Sequence, residues 1–367
     1  MKRAGALLVL LALALGQSAC STLGYYVQSA RGQLGLVMAR EPIDEVLHDP
    51  DAPATLKHKL ETVNRVRAFA VDELGLPDSG SYRTYVDLKR PYVVWTVVAT
   101  RELSLSPKQW CFPIAGCVSY RGYYHRDDAE AFARELRRSG YDVAVNGVVA
   151  YSTLGWFDDP VPSTILKLPD YDLAAVIFHE LAHEELYVSG DSAFNEAFAV
   201  TVQREGVERW LHTRGSPEAR ARFALSVKRE QAFLELVSDT RARLEAVYAS
   251  QWDAAEKRRL KAVILAALRT RYQTLRAGWE RGPNYDDWFA GELNNAKLAS
   301  VATYQRLVPA FQHLLAEEDG DLPRFYRACT SIGHLPAVER ARRLEALAAG
   351  TRVPKVAGAA EVTGPNR

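Results

Sequence analysis

This sequence has almost no excess of charge of either sign: 46 lysine and arginine residues face 45 aspartate and glutamate residues over 367 positions. Loss of an N-terminal segment holding Lys2 and Arg3 would leave 44 basic residues against the same 45 acidic ones. Such a balance gives no basis for a nucleic-acid partner held by bulk electrostatics. Long apolar runs are equally scarce. The one candidate, Ala4 to Leu15, is too short to span a bilayer comfortably. There are only four cysteines, and their spacing is not that of a structural zinc knuckle. No internal repeat and no sustained heptad is visible. What is present is a hydrophobic content of 48 %, enough at this length for one large core or two modest ones.

The N-terminus, MKRAGALLVLLALALGQSAC, orders two cations, an apolar run and then small residues, which marks a secretory signal. Its end resembles a bacterial lipoprotein signal, in which Cys20 becomes the lipidated first residue of the mature chain. Gln17 departs from the aliphatic residue usual at that position, whereas Ser21 is similar to an outer-membrane sorting residue of Gram-negative bacteria. The resemblance implies a lipid bilayer as partner through an N-terminal anchor, with a domain facing the periplasm and no spanning helix. Cys111 and Cys117 enclose FPIAG, whose Pro and Gly favour a turn, so we expect them to pair with each other. Pairing of either with Cys329, or three buried thiols, remains open.

STLGYYVQSARGQLGLVMAREPIDEVL reads as a tether leading into a helix. Leu56, Leu60, Val63, Val66 and Phe69 recur at helical spacing before Pro77, and Tyr92 to Val98 is rich in β-branched and aromatic residues, as a strand requires. DDAEAFARELRRSG is expected to be a helix stopped by Gly140. YDVAVNGVVAYSTLGWF should form one or two strands, with Asn146-Gly147 as a turn or bulge. Beyond Gly190 strand-like runs nearly vanish. Helical patterns occupy roughly 192–211, 218–250, 253–276, 285–298 and 303–318, and the last helix should end near Leu347. The expected class is α+β, with a small sheet and helices followed by a predominantly helical C-terminal half.

The chemistry concentrates in VIFHELAHEELYVSGDSAFNEAFAV, Val176 to Val200. His179 and His183, four apart on a helix, lie nearly above one another and can point at one ion. Glu180 is about 100° round the same helix, where its carboxylate can reach a water in the open coordination position and act as general base. Ser189-Gly190 interrupts the helix. Asp191 or Ser192 can cap a second helix that returns Glu196 toward the histidines. That set supplies three ligands and an open site for one ion, Zn2+ being favoured by the donors, although manganese or cobalt suits the same atoms.

HELAH with Glu196 downstream in NEAFA is similar to the gluzincin group of zinc metallopeptidases. With CSTLGYYVQSARGQLGL, YSTLGWFDDP and FNEAFA, it resembles a family of bacterial predicted aminopeptidases, usually lipoproteins, over nearly the whole mature chain. The resemblance implies a zincin-like metallopeptidase core, a peptide substrate, His179, His183 and Glu196 as metal ligands, and Glu180 as base. Val200 stands where thermolysin-like gluzincins carry an aspartate that orients a ligand histidine. That outer hydrogen bond must come from elsewhere, with Asn195 or a backbone carbonyl as the choices.

An oxyanion needs a donor, and Tyr120, Tyr123, Tyr151 and Tyr187 are the candidates, Tyr187 placed one turn beyond His183 on the same helical edge. An edge strand leading into Tyr151 can bind an extended peptide through its main chain. Recognition of a free α-amino group can draw on Asp158, Asp159 or Glu184. The expected division is a signal at 1–20, a mixed α/β metallopeptidase core at 21–215, a helical region packed on it at 216–348 and a flexible tail at 349–367. Two other readings stay open: a lipid-anchored envelope binding or assembly protein with a structural metal, and a hydrolase of cell-wall amides or peptides. The sequence leaves the oligomeric state undetermined.

Overall fold

The computed structural model describes residues 24–112, 116–153, 157–280, 282–305 and 307–350. The signal, Cys20 and nearly all of the expected tail lie outside them. A mixed α and β N-terminal region with small sheets is followed by a largely helical C-terminal half.

The opening helix, α1, spans residues 24–38. It leads through a short strand β1 (Glu41–Pro42) into α2 (Ile43–His48) and α3 (Ala54–Asp72). Leu60, Val63, Val66, Phe69 and Ala70 bury one face of α3, as their three-and-four spacing requires. β1 pairs antiparallel with β2 (Thr84–Val86), and β2 pairs parallel with β8 (Val161–Pro162). The larger sheet has the order β6-β3-β7, all antiparallel, with β3 (Val94–Arg101) between β6 (Arg121–Tyr123) and β7 (Tyr141–Val148). Because side chains alternate along a strand, Trp95, Val97 and Ala99 face α4 (Arg126–Arg138) through its Ala129, Ala133 and Leu136. On the other face Val98 and Ala144 meet Ala296. β4 (Trp110–Phe112) and β5 (Gly116–Val118) form a separate hairpin closed by a Cys111–Cys117 disulfide, and Cys329 is a buried free thiol.

Asn146-Gly147 makes neither turn nor bulge. Both residues pair in register, with Thr96 and Trp95. The glycine is there because a Cβ would lie 2.3 Å from the Tyr92 ring, which covers that position. β7 is a sheet edge, but Asn294 Nδ2 donates to its Val143 carbonyl at 3.1 Å, so that stretch of the edge is already taken.

The helical half runs α5 (Asp170–Glu185), α6 (Ser192–Arg214), α7 (Pro217–Ala249), α8 (Ala254–Ala277), α9 (Asp286–Ala290), α10 (Asn295–Gln305), α11 (Val308–Glu317), α12 (Leu322–Gly333) and α13 (Ala337–Ala348). The pattern at 285–298 breaks at Gly291, whose carbonyl accepts from Arg269 Nη2 at 2.9 Å. The pattern at 303–318 breaks ahead of Pro309, which lacks an N–H and sits in the first turn of α11. α7, α8 and α9 build a core of their own around Phe233, Leu244, Leu268 and Tyr272. α11, α12 and α13 instead return to the core made by α3, α5 and α6. Phe198 of α6 stacks on Phe325, and Phe194 meets Phe311 edge-on at 5.0 Å. Each such ring, fully buried, stabilises the fold by about 1.5–3 kcal/mol relative to exposure. No helix among the described residues is long and apolar enough to cross a membrane.

Candidate metal centre

α5 carries His179, Glu180 and His183 near its C-terminal end, and its apolar residues Leu173, Ile177, Phe178 and Leu181 are buried. Successive turns put the two imidazoles together, ring centroids 4.9 Å apart and nearly perpendicular. The helix stops at Glu185 because Leu186 is extended (φ −147°, ψ 123°). Tyr187 therefore lies beyond the helix, not on the same helical edge as His183. Asn195 bridges the break, accepting from Val188 N at 2.7 Å and donating to Val188 O at 2.9 Å. Gly190 takes the left-handed conformation (φ +79°) that glycine adopts without strain. Asp191 then caps α6, accepting from Phe194 N at 3.1 Å, while its other oxygen accepts from Arg340 Nε of α13 at 2.8 Å. The disulfide hairpin backs the same turn: a Cβ at Gly116 would lie 2.8 Å from Gly190 N.

α6 packs along α5 and brings Glu196 back to the histidines. Glu196 Oε2 stands 3.3 Å from His179 Nε2 and 4.0 Å from His183 Nε2. One ligand atom from each of the three residues lies within 4.8 Å of the others. His179 Nδ1 approaches Gln203 Oε1 at 3.0 Å. An amide oxygen only accepts, so Nδ1 carries the proton and Nε2 presents a lone pair toward Glu196. Glu196 Oε2 and His183 Nδ1 are buried with no hydrogen-bond partner. Lone pairs and a carboxylate facing one another out of water repel unless a cation lies among them. The donor set fits a metal ion.

The protein surroundings act on each charge. Burial pushes the Glu180 carboxyl up to about 7 and pulls His183 down to about 4. Burial alone would raise Glu196 and lower His179, but with no metal between them a proton serves as the cation: a protonated His179 holds Glu196 below the usual carboxylate range, and Glu196 lifts His179. His183 therefore stays neutral at ordinary pH, the state in which an imidazole can bind a metal ion.

The four tyrosines separate. Tyr120 sits between the sheet and the site, its hydroxyl pKa raised by burial and then by the charges of Glu196, Tyr187 and Glu180. Tyr187 is raised by burial and by Glu196. Tyr123 instead packs with Tyr25 and Phe132 on the α4 side of the sheet, with the Arg121 guanidinium 5.7 Å from its ring centroid. The Tyr151 hydroxyl lies 2.6 Å from that of Tyr124 and donates to Gln33. Neither pair of neighbours includes a residue of the His/His/Glu cluster. Asp159 is 4 % exposed and accepts from Thr153 N at 2.6 Å and Thr153 Oγ1 at 2.9 Å; burial raises its carboxyl to about 6. Asp158 receives Arg40 Nη1 on its backbone carbonyl, whereas Glu184 is only half-buried on α5, four residues after Glu180.

Two residues at the site escape a reading of the motif alone. Gln203, not Asn195 or a backbone carbonyl, orients His179; its place two turns after Glu196 on one helix was the available signal. Tyr82 is fully buried in the left-handed region (φ +62°), pinned by its N–H to Asp159 O at 2.7 Å. After burial, the charge of Glu180 is the strongest influence on its hydroxyl. Nothing in SGSYR announces that placement.

Residues 24–344 match the family described as "Putative aminopeptidase". The chain belongs to that family. The match takes in most of the chain, from α1 through the His/His/Glu cluster to α13. No curated protein and no solved structure matches the chain. Membership of an aminopeptidase family and a cluster able to hold a metal ion together support a metal-dependent peptidase.

Proposed function

We propose that the protein is a zinc-dependent peptide hydrolase, an aminopeptidase, on a zincin-like core held at the outer membrane by a lipid on Cys20 and facing the periplasm. The observation that carries this reading is the triangle of His179, His183 and Glu196 with Glu180 next to it on the same helix. A zinc ion held there would supply Lewis acidity to a water and to the scissile carbonyl. Glu180 takes the proton from the attacking water at its carboxylate and hands a proton to the leaving amine. Its carboxyl, lifted to about 7 by burial in the metal-free protein, is brought down by any cation beside it, which keeps it a base at neutral pH.

Tyr120 is the tyrosine we assign to the developing oxyanion, because it alone has both Glu196 and Glu180 among its charged neighbours. Tyr187 is the second choice. For the free α-amino group of the substrate we favour Glu184. Thr153 already engages the Asp159 carboxylate through two hydrogen bonds, whereas Glu184 keeps access to solvent on the face of α5 that carries Glu180.

The test is zinc content and peptide hydrolysis of the chain lacking residues 1–20, beside Glu180→Gln, with products read by mass spectrometry. The wild-type protein should bind one zinc and release single N-terminal residues. Glu180→Gln should keep the zinc and lose roughly 10²–10⁴-fold in rate. Internal cleavage would move the specificity to an endopeptidase. Folded protein without metal, or a Glu180→Gln variant as active as wild type, would refute the reading. Bound zinc without turnover on any peptide would favour the envelope binding or assembly role.

A further inference from the structure

In α1 the usual polarity of a surface helix is inverted. Its polar side chains point into the protein: Gln28 Nε2 donates to Gly122 O at 3.2 Å, Gln28 Oε1 accepts from Tyr124 N at 3.2 Å, and Gln33 Oε1 accepts from Tyr124 Oη at 2.9 Å. Gly32 lies so close to Tyr124 that a Cβ would come within 2.0 Å of its ring, and Leu36 is buried beside them. The outward face carries Val27, Arg31, Leu34 and Met38, which share one side at helical spacing, flanked by Tyr26 and Ala30. Leu34 is 58 % exposed and Met38 84 %. Arg31 is the only charge among the exposed residues of the helix. A helix facing water normally turns its charges outward and its apolar stripe inward, so this face is made for something other than water.

We infer that α1 is an interfacial helix that lies on the phospholipid bilayer and sets the orientation of the whole domain on it. The inference rests in part on the lipid anchor proposed at Cys20. Only three residues lie between Cys20 and Gly24, and the four steps from one to the other reach at most about 14 Å fully extended. A lipid on Cys20 therefore keeps the start of α1 at headgroup depth, where an apolar ridge sinks into the acyl boundary. Just past the far end of the helix, Arg40 Nη1 donates to Asp158 O at 3.2 Å, and Phe157, next to Asp158 in sequence, is 52 % exposed. Arg31, set within the ridge, suits the phosphates of the same surface.

Two features of the chain make the test selective. In a protein starting at Cys20 the other thiols are closed off by the Cys111–Cys117 disulfide and by burial of Cys329. The sequence contains two methionines, Met1 and Met38, so Met38 is the sole methionine of that protein. The Cys20 thiol is coupled to a maleimide lipid in phosphatidylethanolamine–phosphatidylglycerol vesicles, or capped with N-ethylmaleimide in solution. Oxidation of Met38 by periodate is then followed by mass spectrometry. Met38 should oxidise severalfold more slowly on vesicles than in solution, and Val27→Glu with Leu34→Glu should abolish that protection while zinc content is unchanged. Equal rates on and off vesicles, or protection that survives both glutamates, would overturn the inference. Concentration-dependent protection of the capped protein in solution, lost in the double variant, would overturn it in favour of a second copy of the chain. The mass of the N-terminal peptide from cells reports separately on lipidation: an unmodified Cys20 refutes the anchor and leaves the vesicle result to stand on its own.

Discussion

Gly206 offers the sharpest test of how the Glu196 helix is seated. It lies in the interior of α6, where glycine is the poorest helix former short of proline, and alanine should gain about 1 kcal/mol in propensity. A Cβ at Gly206 would lie 2.7 Å from Leu74 Cδ1 and 2.8 Å from Phe178 Cδ2. Leu74 and Phe178 are fully buried, so neither can swing into solvent. Overpacking of this kind costs about 1–3 kcal/mol. The net expectation for Gly206→Ala is between no change and a loss of about 2 kcal/mol, read from urea unfolding. Phe178 precedes His179, so zinc affinity should weaken along with stability. Leu74→Ala alone should cost about 2–5 kcal/mol, but the double variant should cost less than the two single changes added, by at least about 0.5 kcal/mol, because the new methyl enters the space left by the leucine. A Gly206→Ala protein stabilised by the full propensity gain, with unchanged zinc affinity, would refute the close packing of α6 on α5.

Gln203→Leu removes the acceptor for His179 Nδ1 and should weaken zinc binding about 10–100-fold in a competition titration, with secondary structure intact; an unchanged affinity would mean another group orients that ring. Arg340→Met strips Asp191 of its counter-ion and removes the guanidinium that donates to the carbonyls of Gly333 and Leu335. It should destabilise the protein by about 2–4 kcal/mol, whereas a loss below half a kcal/mol would deny the clamp between α13 and α6. Burial lifts the Asp172 carboxyl in the first turn of α5 from 3.8 to about 6. Ionisation is thus harder in the folded protein, and stability falls as pH rises between those values and stays reduced above them. Asp172→Asn should therefore melt higher than wild type at pH 7.5 and no higher at pH 3.5; a difference of equal size at both would remove burial as the cause.

The site was legible because its chemistry is local. Four-residue spacing on one helix gathers His179 and His183, and Ser189-Gly190-Asp191 announces both the break and the cap that return Glu196. α3, α4 and the long α7 and α8 were legible for the same reason, since each writes its buried face at helical spacing with an ending signal of its own. What stayed hidden depends on partners distant in sequence. Gly147 looks like a turn and is a strand residue made small by the Tyr92 ring. Tyr82 is buried where the charge of Glu180 acts on its hydroxyl, its backbone held in the left-handed region by the Asp159 carbonyl, a partner distant in sequence. The sorting of the tyrosines followed the same rule: Tyr120 and Tyr123 are close in sequence but lie on opposite faces of one sheet, so only Tyr120 has the candidate ligand Glu196 among its neighbours.

The return of the last helices to the first core bears on when the site comes into being. Phe194 and Phe198, which seat the helix bearing Glu196, find their ring partners in Phe311 and Phe325, and Asp191 finds its counter-ion in Arg340. A chain emerging from its N-terminus would expose His179, Glu180, His183 and Glu196 long before those partners exist, and contacts so distant in sequence form late. The candidate metal geometry is therefore fully backed only at the end, and a chain cut short before α11 would carry every motif residue and the α5–α6 pair yet lack the rings and the cation that hold α6 in place. During synthesis this order leaves the candidate site without its full support until the last helices have been made.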